Sequence, residues 1–216
     1  MEKKPIIVDF EGLDCSFKET NSKKLAEHLH GKRYEFPDYS SESSYFIRQY
    51  LSGKYSMINN KSPIMMAYLM EMFDVWHTKV VPDIKNGLEV VVFDRFWYSN
   101  YYYQCESTKD KITLQLIANE LGLPKCDILF KMMTNFNLTI EKIREKKNRD
   151  ILELDEEKMK KVHCDFSICD FNRMRHVYNI LTYDDDGFRN PDEIFSEIAL
   201  KYSAAYNEIQ KYNLKK

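Results

Sequence analysis

Short runs of apolar and β-branched residues alternate along this chain with longer segments whose apolar residues recur at helical spacing. The short runs predict buried strands at residues 5–10, 88–93, 127–131 and 179–183, with a weaker strand at 33–36. The helical spacing predicts helices over residues 20–31, 65–84, 109–121, 139–146 and 192–212. Strands that are separated by long helices pair in parallel through right-handed crossovers. The pattern therefore predicts an α/β protein in three layers, with a central parallel sheet of about five strands flanked by helices.

Composition narrows the classes of function. The chain has 216 residues, and 32 Lys and Arg against 34 Asp and Glu give a formal net charge of −2. This balance argues against a protein that grips a nucleic-acid backbone, which needs a basic excess. No apolar run reaches the 18 residues of a membrane span, and five cysteines do not suggest a disulfide framework. We expect one domain over residues 1–216, in the cytoplasm, with neither nucleic acid nor membrane as a partner.

The segment that follows the first predicted strand has the spacing of a phosphate-binding loop. Such a loop reads Gly-x4-Gly-Lys-[Ser/Thr], and its backbone N–H groups and lysine hold a phosphate. Gly12 and Lys18 fit this spacing, whereas Phe17 replaces the second glycine and Glu19 replaces the hydroxyl residue. Spacing alone leaves both a phosphate loop and a plain strand–helix turn open. The candidate ATP-binding residues are Gly12, Leu13, Asp14, Cys15, Ser16, Phe17, Lys18, Glu19 and Thr20.

Several motifs in the same order resemble the thymidylate kinase family, a branch of the P-loop nucleoside monophosphate kinases. The resemblance runs from about residue 5 to residue 200. It is carried by Glu11-Gly12 with Asp14, Lys18 and Thr20, by Phe36-Pro37 with Tyr39, by Asp94-Arg95 with Ser99-Asn100, by Gly122-Leu123-Pro124, and by Arg144 followed by Asp150 and Glu153. It implies a P-loop kinase fold with a lid, which we place in the highly charged segment at about residues 142–161.

The resemblance also implies a role for each matching residue. Lys18 would bind the donor phosphates, Asp14 would lie near the transferred phosphoryl group, and Arg95, oriented by Asp94, would clamp the acceptor phosphate. Arg144 and Arg149 would close over the donor phosphates from the lid. The implied acceptor-binding residues are Phe36, Tyr39, Asp94, Arg95, Ser99, Asn100 and Tyr103. The candidate ligands of Mg²⁺ are Glu19, Asp14, Asp94, Asp150 and Glu153; Glu19 replaces the hydroxyl residue of the family, but a carboxylate is also a hard oxygen ligand.

The predicted helix 65–84 departs from the family. There the family's Asp-Arg pair, whose arginine contacts the acceptor, aligns with Asp74-Val75, and its stacking aromatic residue aligns near Glu71. The implied function is transfer of the ATP γ-phosphoryl group to dTMP, giving dTDP, by a Mg²⁺-dependent homodimer. Two alternatives stay open because of the departures. One is the same fold acting on a different nucleotide or nucleoside, and the other is a nucleotide-binding pseudokinase without turnover.

Overall fold

The computed structural model of the protein describes residues 4–55, 61–168, 174 and 176–213. Its centre is a five-stranded sheet in the order β2-β3-β1-β4-β5, in which every neighbouring pair is parallel. The strands are β1 (Ile6–Gly12), β2 (Lys32–Glu35), β3 (Val90–Asp94), β4 (Ile128–Met133) and β5 (His176–Leu181). The predicted α/β fold with a central parallel sheet is therefore confirmed.

Helices cover both faces of the sheet. They are α1 (Lys18–His28), α2 (Tyr45–Leu51), α3 (Ser62–Val75), α4 (Val81–Lys85), α5 (Trp97–Tyr103), α6 (Thr108–Glu120), α7 (Phe136–Arg144), α8 (Glu156–Ile168) and α9 (Pro191–Asn213). A π-helical turn (Trp76–Val80) joins α3 to α4, so the predicted helix 65–84 is continuous but locally widened. In the described part of the chain, no helix combines the length and apolar character needed to cross a bilayer.

Two apolar clusters show why the strands read as almost continuous hydrophobic runs. Ile7, Val91 and Phe93 pack into one cluster with α3, α5, α6 and α8, whereas Val8 and Phe10 pack into the other with α1 and α9. Parallel strands that are buried on both faces lose the alternation of polar and apolar residues. The continuous apolar composition of the strands therefore already indicated that helices cover both faces of the sheet.

The charged segment at residues 142–161 does not form one element. It contains the end of α7, an irregular stretch and the start of α8. The helices α2, α5 and α8 and a small antiparallel hairpin, β6 (Tyr183–Asp184) with β7 (Gly187–Phe188), were not predicted. They lie in short or highly polar segments, in which hydrophobic spacing carries little signal.

Candidate active site

The loop between β1 and α1 has the backbone shape of a phosphate loop in spite of its sequence. Gly12 is required, because a Cβ there would lie 2.7 Å from the carbonyl oxygen of Met132 and 2.8 Å from Ser16 Oγ. Cys15 and Phe17 have φ angles of 57° and 63°, in the left-handed region that favours glycine. Phe17 thus adopts a conformation that glycine would adopt without strain. Backbone N–H groups in such a turn form a concave site for anions.

Lys18 begins α1 and turns back into the loop. It is buried, and its Nζ donates hydrogen bonds to the carbonyl oxygen of Leu13 and, at 3.3 Å, to Ser16 Oγ. Burial, together with repulsion by Arg95, lowers the pKa of Lys18 to about 8. The ammonium group is therefore still mostly charged at neutral pH, where it can neutralise a phosphate.

Arg95 follows β3 and extends across to the loop. Its guanidinium group forms an ion pair with Asp14, donates to the carbonyl oxygen of Gly12 at 3.1 Å and lies 5.5 Å from the centre of the Tyr103 ring. Burial opposes ionisation of Asp14, but the charges of Arg95 and Lys18 outweigh it and lower the pKa of that carboxyl group. The structure therefore brings together Asp14, Lys18 and Arg95, as the sequence predicted.

Asp94 does not orient Arg95, contrary to the expected pairing. Its Oδ2 accepts a hydrogen bond of 2.6 Å from Arg33 and one of 3.2 Å from Ser22. Arg95 lies directly after the end of β3 and has a left-handed backbone with φ of 65°, so its side chain leaves the chain in a different direction from that of Asp94. Asp94 thus anchors β2 to α1 at the edge of the site, and Asp14 takes over the orientation of Arg95.

Glu11 joins the phosphate loop to α5. One carboxylate oxygen accepts from the backbone N–H groups of Phe96 and Ser99 at 3.0 and 2.9 Å, and the other accepts from Ser99 Oγ at 2.5 Å. Burial raises the pKa of Glu11 to about 7, although these hydrogen bonds oppose the shift. Ser99 therefore holds the site together through Glu11 as well as lining it.

A cleft of about 760 Å³ opens over the phosphate loop. It is lined by seven consecutive loop and α1 residues, by side chains in and directly after β2 and β3, and by Lys142, Lys146 and Phe188. The predicted lid residues Arg144 and Arg149 do not line it. Both are exposed, and Arg144 forms two hydrogen bonds of 2.8 and 2.6 Å with Glu156. The cations of this segment that line the cleft are Lys142 in α7 and Lys146, which lies two residues beyond the end of that helix.

A second, smaller cavity of about 90 Å³ shares Asp14, Phe36, Pro37, Tyr39 and Arg95 with the cleft. Its remaining lining residues are Leu51, Tyr68, Met72, Phe96, Ser99, Asn100, Tyr103, Gln104, Asp150 and Leu152. The predicted acceptor residues Phe36, Tyr39, Ser99, Asn100 and Tyr103 thus lie around one cavity. Asp94 lines only the larger cleft.

Three polar atoms at this cavity lack a hydrogen-bond partner among the described residues. They are Asn100 Oδ1, Gln104 Oε1 and the Tyr103 hydroxyl, all of them buried. Buried polar atoms usually have partners, so unpartnered atoms at a cavity fit a site that is completed by a polar ligand. Gln104 was not among the predicted residues, although it follows directly on the Tyr run of α5.

The predicted register of α3 against the acceptor was wrong. Tyr68 and Met72, one helical turn apart, line the cavity, whereas Val75 is buried in the core. Glu71 is also buried, and its Oε1 accepts a hydrogen bond of 2.6 Å from the backbone N–H of Asp38. Nearly every residue of α3 is apolar, so the sequence did not show which side faces the cavity.

The five carboxylates expected to hold Mg²⁺ do not converge. Glu19 pairs with Lys23 at 2.6 Å, and Glu153 pairs with Lys146. Asp150 accepts hydrogen bonds from the backbone of Leu152 and Glu153 and so closes a turn. The described residues contain no group of three or more His, Cys, Asp or Glu side chains arranged for a metal ion. Asp14, Glu19 and Asp94 do line the cleft.

The fold and this site define a P-loop nucleoside monophosphate kinase. A phosphate loop with a buried lysine lies beside a second cavity lined by the predicted acceptor residues, at the carboxyl ends of parallel strands. The family model described as thymidylate kinase matches residues 10–183. The chain therefore belongs to the thymidylate kinase family.

Individual relatives agree with this assignment. The chain is 24% identical over 206 residues to a thymidylate kinase of Leptospira borgpetersenii, covering 90% of this chain and 92% of that protein. It is 30% identical over 148 residues to a probable thymidylate kinase of Methanocaldococcus jannaschii, covering 68% and 73%. The solved thymidylate kinase of Candida albicans has the same fold, with a TM-score of 0.68 and 21% identity over 94% of this chain and 93% of that one.

Proposed function

We propose that this protein transfers the γ-phosphoryl group of ATP to dTMP, giving dTDP. The observation that carries the proposal is the meeting of the two cavities at Asp14 and Arg95. A donor on the phosphate loop and an acceptor in the smaller cavity would present their phosphates to each other at this junction. Membership of the thymidylate kinase family supports dTMP as the acceptor.

Phosphoryl transfer needs alignment and positive charge rather than covalent help from the protein. Lys18 supplies charge from the loop side, and Arg95 supplies a fork that suits two phosphate oxygens. Lys142 of α7 and Lys146, just beyond that helix, supply charge in the role that was expected of Arg144 and Arg149. Asp14 fixes the direction of the Arg95 fork through their ion pair.

Mg²⁺ fits the cleft as a metal that is shared with the nucleotide. Mg²⁺ usually keeps several waters and takes one or two carboxylates in addition to substrate phosphates. Asp14 and Glu19 line the cleft and meet that requirement, so we propose these two as the protein's ligands. The bound metal would neutralise charge on the donor phosphates. Asp150 and Glu153 are engaged in the turn that they form with Lys146 and are not needed for it.

A coupled assay of ADP release tests the proposal. Wild-type protein with ATP, Mg²⁺ and dTMP should turn over, and Lys18→Met should reduce kcat by about 10²–10³-fold, the usual effect of removing one transition-state donor. Lys109→Met, an exposed lysine of α6, is the matched control and should leave the rate unchanged. Absence of turnover by the folded wild-type protein with dTMP or any other nucleoside monophosphate would overturn the proposal and favour a pseudokinase.

We also propose a homodimer, as the family resemblance implies. The outer face of α6 exposes Ile112 and Leu116, which are 54% and 59% accessible, and neighbouring α3 exposes Met70 at 46%. Large apolar side chains that recur one helical turn apart on adjacent helices suit contact with a second copy. By the same resemblance, we propose the cytoplasm as the place of action.

A further inference from the structure

The carbonyl group of Phe17 accepts two hydrogen bonds from a single residue of α1. The backbone N–H of Asn21 donates to it at 3.0 Å, which is the ordinary helical bond between residues four apart. The side-chain Nδ2 of Asn21 donates to the same oxygen at 2.8 Å. A carbonyl oxygen has two lone pairs, so its capacity is filled, and the peptide group between Phe17 and Lys18 is held in one orientation.

The amide of Asn21 is an unexpected group at its position in the helix. Asn21 is completely buried, and its Oδ1 has no hydrogen-bond partner among the described residues. A buried polar atom without a partner costs stability, and one turn later the buried face of α1 is apolar, at Leu25 and Ala26. The reverse orientation of the amide would place Oδ1 against the carbonyl oxygen of Phe17. The bond to Phe17 is therefore what this side chain contributes.

The orientation of this peptide group decides where the backbone N–H of Lys18 points. In a trans peptide the C=O and N–H groups point in opposite directions. The Phe17 carbonyl points along α1 toward Asn21, so the Lys18 N–H points toward the open end of the helix, where the phosphate loop lies. The first N–H groups of a helix have no partner within it and bind anions. The Asn21 side chain thus keeps one of these groups directed at a bound phosphate.

This support acts at the residue that replaces a glycine. Phe17 has φ of 63° and ψ of 18°, in the left-handed region that is strained for a residue with a Cβ. Such a residue relaxes by rotation of one of the two peptide groups that flank it. The Asn21 side chain opposes rotation of the peptide group that carries the Lys18 N–H. Glycine at position 17 would need less support, because the left-handed backbone is unstrained for glycine.

We propose that Asn21 is a positioning residue for the donor phosphates, which compensates through its side-chain bond to the Phe17 carbonyl for the glycine that the loop lacks. This inference rests on the proposed kinase function and deepens it. Asn21 is not among the residues that line the cleft, so it acts on the donor only through the peptide group that it holds. Its contribution belongs to the donor phosphates and not to the acceptor.

Two substitutions of nearly equal size separate the hydrogen bond from packing. Asn21→Ala removes the donor, whereas Asn21→Ser supplies a hydroxyl that can donate to the carbonyl oxygen four residues earlier, as Ser196 and Ser203 do in α9 at 2.8 and 2.9 Å. In calorimetric titration with inorganic triphosphate and Mg²⁺, Asn21→Ala should bind about fivefold more weakly than wild type, the effect of one hydrogen bond. Asn21→Ser should stay within about twofold. Equal loss in both variants, or no loss in Asn21→Ala, overturns the inference.

A second arm repeats the comparison with glycine at position 17. Phe17→Gly removes the backbone strain, together with the contact between its ring and that of Phe188, whose centres lie 5.4 Å apart. The ring contact is absent from both Phe17→Gly and the double variant, so it cancels when Asn21→Ala is compared between backgrounds. Asn21→Ala should weaken triphosphate by less than about twofold when glycine occupies position 17. A fivefold loss in both backgrounds would mean that Asn21 does not compensate for the missing glycine, and would overturn the inference.

Titration with dTMP distinguishes positioning of the donor from a general disturbance of the fold. Asn21→Ala should bind dTMP within about twofold of wild type, and a loss as large as that for triphosphate would overturn the inference. Urea unfolding curves confirm that each variant is folded before its binding is compared.

The outcomes also separate this inference from the proposed function, because triphosphate binding requires no turnover. If dTMP is phosphorylated and Asn21→Ala binds triphosphate like wild type, only the role of Asn21 is wrong. If the variants bind triphosphate as expected but the wild-type protein phosphorylates no acceptor, only the proposed function is wrong. A wild-type protein that binds neither triphosphate nor ATP contradicts both.

Discussion

Cys15 and Phe17 keep a left-handed backbone at a cost that glycine would avoid. For a residue with a Cβ, this conformation costs about 1–2 kcal/mol. Two hydrogen bonds hold the loop in this shape. Ser16 Oγ donates one of 2.7 Å to the carbonyl oxygen of Leu13, and the Lys18 ammonium group donates another to the same oxygen. Hydrogen bonds within the loop therefore impose the conformation that glycine merely permits.

Replacement of Cys15 by glycine should stabilise the protein. The φ of 57° is unstrained for glycine, so Cys15→Gly should raise the free energy of unfolding by up to about 1 kcal/mol, less the entropy that glycine adds to the unfolded chain. Urea unfolding measures the change. Cys164→Gly is the matched control, because Cys164 is exposed within α8 and the same substitution there should destabilise by about 1 kcal/mol.

Destabilisation of similar size in both variants would contradict this account. It would mean that the Cys15 side chain contributes packing in the loop that outweighs its backbone strain. Phe17→Gly is not an equivalent test, because it removes the ring contact with Phe188 together with the strained conformation.

At the scale of elements, three carboxylates tie the segment after β2 to α3. Glu71 accepts from the backbone of Asp38, Asp38 pairs with Lys79 at 2.5 Å, and Asp74 accepts from Ser41 and Ser43 at 3.0 and 2.8 Å. This segment carries Pro37 and Tyr39, which line both cavities. The position of the acceptor wall therefore depends on two acidic groups of α3, the buried Glu71 and the half-buried Asp74.

Glu71→Gln should flatten the dependence of stability on pH. Burial raises the pKa of Glu71 to about 8 from its ordinary 4.5, so the folded state keeps a proton that the unfolded state has lost. Stability therefore falls between about pH 5 and 8, by at most about 1.4 kcal/mol per unit. Glutamine keeps the oxygen that accepts from Asp38 and cannot ionise. Urea unfolding at pH 5, 6, 7 and 8 should show a shallower fall in the variant.

The slope should decrease rather than vanish, because the pKa of Glu11, raised to about 7, contributes a fall in the same window. Glu120→Gln, at an exposed position at the end of α6, is the control and should keep the wild-type slope. An unchanged slope in Glu71→Gln would mean that Glu71 is already ionised in the folded protein at neutral pH.

Elements with a strong hydrophobic period were predictable, and contacts between elements were not. The strands followed from β-branched runs, Gly12 and Lys18 from motif spacing, and Arg95 from the resemblance to the family. The phase of α7 was missed: burial of Thr139, Ile140 and Ile143 turns Lys142 toward the cleft and Arg144 away from it. Which charged residues of a polar helix face a site depends on its buried face, and that face is set by neighbours distant in the sequence.

The pairing of Asp94 with Arg33 was hidden for a related reason. The two residues are 61 positions apart, on the neighbouring strands β3 and β2, and only the register of the parallel sheet brings their side chains together. Adjacent placement of Asp94 and Arg95 in the sequence suggested a pair that the left-handed backbone of Arg95, directly after β3, separates. Local motifs thus located the site, whereas sheet register decided its ion pairs.

At the scale of the whole molecule, the proposed homodimer predicts that a charge placed in its apolar interface prevents dimerisation. Leu116→Glu, in the exposed apolar face of α6, should convert the dimer to a monomer, because two buried carboxylates without partners would each cost several kcal/mol. Sedimentation velocity measures the mass. Leu200→Glu, at a 73% exposed leucine of α9, is the matched control and should stay dimeric. A wild-type protein that sediments as a monomer at high concentration would refute the assignment.

The left-handed conformation of Phe17 matters for how phosphate-loop proteins are identified in genome sequences. A scan for the string Gly-x4-Gly-Lys-[Ser/Thr] passes over this chain at two positions, Phe17 and Glu19. A search on backbone angles does find it, if the search asks for a left-handed residue directly before a lysine that begins a helix. Censuses of nucleotide-dependent proteins that rely on the letters of the motif will therefore undercount lineages in which hydrogen bonding has replaced glycine.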